Sequence, residues 1–113
     1  MEVRLIGEKK ALLVKVTGEL DHHIAEKIRQ EVDEKLRSTN AENVIFDFSG
    51  LDFMDSSGIG VIMGRYKKVR TLGGRVIAVG VNAGILRIME MSGMDKIIKL
   101  MPNVEKACRL LDK

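Results

Sequence analysis

Two segments, Val44-Ile-Phe-Asp-Phe48 and Asp52-Phe-Met-Asp-Ser-Ser-Gly-Ile-Gly60, decide how this chain is read. The first is a short alternating run rich in β-branched and aromatic residues, the pattern of a strand. Beyond the second, Ile59, Ile62, Met63, Tyr66 and Val69 recur at helical spacing. Ser56 and Ser57 therefore fall in a strand-to-helix loop, at or beside a helix N-cap. A helix start offers unpaired backbone N–H groups and a partial positive charge. A phosphate can sit there, whether carried by a ligand or attached to a serine. The structural alternative is that Asp55, Ser56 or Ser57 caps the helix, a contribution of about 1 kcal/mol.

The bulk composition is that of an ordinary globular protein. The 113 residues are 45% hydrophobic and 31% charged, and they are expected to form a single domain over residues 1–113. Trp is absent and Met numbers seven, so the core is built from Ile, Val, Leu and Met. One cysteine, Cys108, excludes an internal disulfide and fits a reducing compartment. No apolar run approaches the roughly 20 residues that span a bilayer, so no membrane insertion is expected. The N-terminus is too polar and short for a secretory signal, and a cytoplasmic location is the expectation. The net charge is +3, with acids and bases interleaved. Its local excess, Arg65, Lys67, Lys68 and Arg70, reads as the solvated face of a helix. Without a stronger basic stripe or aromatic platforms, no nucleic-acid partner is expected.

Strands are expected at residues 3–6, 12–16, 44–48, 75–81 and 96–100, and helices at about 23–36, from the Asp55-Ser-Ser loop to near 72, and at 83–91 and 104–111. Residues 7–10 read as a hairpin turn, 17–21 and 52–57 as loops, with Asp21 or His22 capping the first helix. The order β-β-α-β-α-β-α-β-α predicts an α/β fold. It has a mixed, mostly parallel sheet, an N-terminal antiparallel hairpin and four packed α-helices. Sites in such sheets lie beyond the carboxyl ends of the strands. If the strands before loops 18–21 and 52–57 are parallel neighbours, those two loops converge.

Several chemistries can be weighed at that convergence. Gly58, Gly60 and Gly64 have the wrong spacing for a dinucleotide fingerprint, and no acidic residue follows on the next strand. A Gly-Lys-Ser/Thr phosphate loop is missing too. Gly60 and Gly64, one turn apart, suggest close approach of the helix to the sheet or to a partner. Ser56 or Ser57 with His22 or His23 supplies hydrolase residue types without the Gly-x-Ser-x-Gly elbow. His22, His23 and Asp21 are weak metal-ligand arithmetic, because adjacent helical residues point apart. What remains is a covalent switch, in which a phosphate beside Asp55 concentrates negative charge in a small loop.

These residues resemble a known family. Thr17-Gly-Glu-Leu-Asp-His-His23 and Phe53-Met-Asp-Ser-Ser-Gly-Ile-Gly-Val-Ile-Met-Gly-Arg-Tyr-Lys67 are similar to the STAS-domain anti-anti-sigma factors, closest to the sporulation branch. The similarity continues through Gly73-Gly74 and Met91-Ser-Gly-Met94. The resemblance implies a non-enzymatic protein, without a cofactor or metal, that binds an ATP- or ADP-bound anti-sigma factor. That anti-sigma factor is also a serine kinase. It implies phosphorylation at Ser56, reversal by a PP2C-type phosphatase, and a partner surface of Asp21, Asp55, Ser56, Ser57, Gly58, Ile59, Gly60 and Arg65. The competing possibility is a small nucleotide-binding or hydrolytic enzyme using the Asp-Ser-Ser-Gly loop.

Overall fold

A computed structural model describes residues 1–112. Its elements are β1 (Glu2–Ile6), β2 (Ala11–Leu20), α1 (His22–Ser38), β3 (Asn43–Met54), α2 (Ser56–Thr71), β4 (Val76–Val79), α3 (Ala83–Ser92), β5 (Lys99–Met101) and α4 (Val104–Leu111). Short 3₁₀ turns, Gly7–Lys9 and Met94–Lys96, fall before β2 and β5. The five strands lie in the order β1-β2-β3-β4-β5. β1 pairs antiparallel with β2, and every other pairing is parallel. The expected mixed sheet and its four helices are thus present.

The central strands are longer than the sequence suggests. β2 runs on to Leu20 rather than stopping at Val16, and β3 runs to Met54 rather than Phe48. Their register shifts between Lys15 and Thr17 and again between Gly18 and Glu19. Thr17-Gly18 and Ser49-Gly50 look like turn residues, yet they build bulges inside a continuous ladder. Gly18 holds φ +77°. Gly50 lies opposite Thr17, and a Cβ on it would come within 2.8 Å of Thr17 Cγ2. Asp52 therefore belongs to a strand, not to a loop. β5 also differs from expectation, because residues 94–96 wind into a 3₁₀ turn and pairing begins at Lys99.

The sheet is packed on both faces. Leu12, Val14, Phe46 and Phe48 meet Ile28 and Val32 of α1, Ile62 and Val69 of α2, and Ile85 and Met89 of α3 in one core. The alternate residues Leu13, Ile45, Ile77 and Val79 face α4 through Ala107. Two-residue periodicity in the strands, matched to single apolar stripes on the helices, produces this layering. At its amino-terminal edge Asn43 ties three segments. Its amide donates to the carbonyls of Lys9 and Lys10, at 3.1 and 3.3 Å, and its carbonyl accepts from Arg75 N at 2.8 Å. The opposite edge, where β2 and β3 end together, is left to carry the site.

Candidate functional site

Leu20 pairs with Met54 at the end of the β2–β3 ladder. Each is followed by an aspartate that caps the next helix. Asp21 has φ −96° and ψ −174°, and its carboxylate accepts from Ile24 N at 3.0 Å. Asp55 has φ −99° and ψ −171°, and its carboxylate accepts from Ser57 N at 2.8 Å. Asp55 N also donates to the Leu20 carbonyl at 3.3 Å, which joins the two turns. The loops expected to converge do so. Two helix starts open side by side at the carboxyl edge of the sheet, each closed by an Asp side chain.

This geometry sorts the candidate residues. Ser56, the first residue of α2, is exposed, while Ser57 is half-buried and faces the cleft toward α1. Of the three capping residues the sequence offers, the Asp55 carboxylate takes the role, using the Ser57 backbone N–H. Gly58 is buried, and a Cβ there would stand 2.5 Å from Met54 Cγ and 3.4 Å from Leu20 Cδ1. Gly60 and Gly64 have open space where a Cβ would go, so neither permits a close approach to the sheet. Ile59 turns the other way, toward α3, where Met54, Asp55, Ser56, Ile88 and Met91 line a shallow hollow. Met91, 80% exposed, adds apolar surface to this hollow beside Ser56.

Arg65 departs most from expectation. It is 5% exposed and is not part of a solvated face. Its Nε lies 3.0 Å from Asp33 Oδ1, and Lys68 Nζ lies 2.9 Å from the other carboxylate oxygen, so the pair clamps α2 to α1. Burial pushes the Arg65 guanidinium below its ordinary pKa, while Asp33 acts in the opposite direction. The Ile24 N–H holds the Asp21 carboxyl below the usual carboxylate range. Glu26 is lowered in the same sense by its hydrogen bond from Arg29. Sequence reasoning missed Asp33, Ile88 and Met91. Only the exposure of Met91, off the apolar stripe of α3, sets it apart, and that feature needs the fold to be seen.

The histidines contribute little to a catalytic or metal-binding reading. The rings of His22 and His23 contact each other edge to face at 5.9 Å, and both residues are exposed. Among the described residues no group of three His, Cys, Asp or Glu side chains is placed to hold a metal ion. No helix among them is long and apolar enough to cross a membrane.

Residues 2–107 match the model of the STAS domain family. The chain is 35% identical to the anti-sigma F factor antagonist of Paenibacillus polymyxa over 112 residues, which is 99% of this chain and 96% of that protein. It superposes on the Bacillus cell fate determinant SpoIIAA in its phosphorylated form with a TM-score of 0.77 and 26% identity, over 96% of this chain and 97% of that one. It also superposes on the unphosphorylated form of the anti-sigma factor antagonist SpoIIAA with a TM-score of 0.76 and 24% identity, over 94% and 91%. The fold, the paired Asp caps and these similarities agree, and the chain belongs to the STAS domain family, on the branch of the anti-sigma factor antagonists.

Proposed function

We propose that this protein is an anti-sigma factor antagonist that binds an ATP- or ADP-bound anti-sigma factor, frees the sporulation sigma factor, and is switched off by phosphorylation. The anti-sigma factor doubles as the serine kinase, Ser56 is its acceptor, and a PP2C-type phosphatase restores the active form in the cytoplasm. The observation that carries this reading is the placement of Ser56. It is the exposed first residue of α2, beside the Asp55 cap and among the apolar side chains of Ile59, Ile88 and Met91. An accessible hydroxyl there can enter a kinase active site, and the apolar rim can bury against a partner. Asp21, at the neighbouring helix start, supplies a second polar contact on the same face.

The test is intact mass after incubation with the anti-sigma kinase and ATP, for the parent chain and for Ser56→Ala and Ser57→Ala. One phosphoryl group is expected on the parent and on Ser57→Ala, and none on Ser56→Ala. Stoichiometric phosphorylation of Ser56→Ala would refute the assignment. Nucleotide hydrolysis by the isolated chain, lost in Ser56→Ala, would move the protein to the enzyme class.

A further inference from the structure

On the side of α2 away from α3, a cleft of about 240 Å³ separates the first turns of α1 and α2. His22, Glu26 and Arg29 line it from α1, and Ser57, Gly60 and Arg65 line it from α2. The Arg65 side chain is 6% exposed. Its Nε approaches Asp33 Oδ1 at 3.0 Å but out of line for a hydrogen bond, and neither Nε nor Nη1 has a hydrogen-bond partner in the protein. Asp33 is itself shared, since its Oδ2 accepts from Lys68. Two cations around one carboxylate leave an excess positive charge. Glu26, the acid on the cleft wall, is already engaged by Arg29 and Gln30. The two helix starts beside this space are already closed by the Asp21 and Asp55 carboxylates, so the unbalanced positive charge on the cleft wall is that of Arg65.

A buried guanidinium with unpartnered N–H groups is costly, and its planar fork fits a carboxylate or phosphate. We propose that the α1–α2 cleft is an oxyanion subsite, in which Arg65 receives a carboxylate- or phosphate-class anion between the two helix starts. The subsite is separate from the Ser56 switch and stands whether or not Ser56 is modified. Its anion can come free from solution or as an acidic side chain of a docked protein; the chemistry is the same.

The experiment titrates the ¹⁵N-labelled chain with inorganic phosphate at constant ionic strength, following amide and arginine Nε–Hε resonances. Saturable shifts are expected at residues 22–29, at 57–61 and on Arg65. Arg65→Met leaves Asp33 paired with Lys68 and should weaken binding about tenfold or more, as loss of charge-assisted hydrogen bonds predicts. Gly60→Glu serves if that variant fails to fold, because a side chain at residue 60 enters open space. It should weaken phosphate binding while Gly60→Gln preserves it. Shifts that rise linearly and spread over surface lysines would overturn the proposal, as would saturable binding that Gly60→Glu retains. Adding the anti-sigma partner separates the sources. Competition between phosphate and partner identifies an acidic side chain of the partner, and independent binding identifies a free anion.

Discussion

Three glycines within α2 offer a test of which face of that helix meets the protein and which meets solvent. A glycine inside a helix costs about 1 kcal/mol relative to alanine. At Gly60 and Gly64 a methyl group enters open space, so Gly60→Ala and Gly64→Ala should each recover close to that amount. At Gly58 the methyl meets Met54 Cγ at 2.5 Å, Met54 Sδ at 3.0 Å and Leu20 Cδ1 at 3.4 Å. Met54 and Leu20 are 1% and 0% exposed, so neither has free volume to retreat into. Overpacking of this kind costs about 1–3 kcal/mol, which exceeds or cancels the propensity gain. For a chain of this size 1 kcal/mol moves the melting temperature by about 4 °C. Thermal unfolding by circular dichroism should therefore rise by about 4 °C for Gly60→Ala and for Gly64→Ala, and should fall or stay level for Gly58→Ala. A fall in all three would mean that α2 has been assigned the wrong buried face. Gly60 also lies one turn from Ser56. If the anti-sigma partner sits there, Gly60→Ala should bind it more weakly while being more stable, a separation that no general unfolding effect can produce.

Asp33→Ala leaves Arg65 buried without its counter-charge and should cost about 3–5 kcal/mol in urea unfolding; the double variant Asp33→Leu with Arg65→Met should recover most of it. A loss under about 1 kcal/mol for the single change would show that the clamp is not structural. Asp21, lowered by the Ile24 N–H, contributes stability that is fully present above its unfolded value of 3.8 and is lost as the pH falls through its lower folded value. The melting-temperature difference between the parent and Asp21→Asn should be constant at neutral pH and should shrink below pH 3.8; a flat difference down to strong acid would contradict the cap. Phosphorylation of Ser56 should move amide resonances at residues 52–64 and 18–23 and leave the sheet and α4 in place; widespread shifts would mean a refolding switch.

Much of this arrangement was legible before the fold was known. The helical spacing after Gly58 placed Ser56 at or beside a helix start. The alternation of topology alone brought the 18–21 and 52–57 segments to one edge. What escaped reading depends on partners distant in sequence. Thr17-Gly18 and Ser49-Gly50 carry turn chemistry, and only their pairing across the ladder turns them into bulges. Arg65 sits in a basic run that looks solvated, yet Val61 and Val69, one turn to either side, share its buried stripe. A charge can occupy that stripe only because Asp33 on another helix meets it, and no local pattern announces such a pair. The Asp55 cap was one of three options in sequence; the closeness of its carboxylate to Ser57 N decides among them.

The position of Ser56 also determines where the cost of a phosphate falls. In the free protein two fields oppose each other. The first-turn N–H groups of α2 favour the added charge by about 0.3–1 kcal/mol. The neighbouring Asp55 carboxylate resists it by about 1 kcal/mol per unit charge at 4 Å in water. These nearly cancel. The helix is also held from elsewhere, by Gly58 against Met54 and Leu20 and by Arg65 and Lys68 around Asp33. A modified chain thus has little reason to unfold. Beneath a docked partner the effective dielectric falls to about 20, and both fields strengthen together, so their near-balance persists. Desolvation of the phosphate is the cost that falls on the complex alone. Since 1.4 kcal/mol is tenfold in affinity, a desolvation cost of about 4 kcal/mol for the buried ion weakens the complex by about a thousandfold while the fold barely responds. The same group on Ser57 would meet other surroundings, in the cleft beside Arg65 and Arg29, where attraction offsets the cost. A one-residue difference along α2 therefore separates a phosphate that repels a partner from one that the protein can absorb.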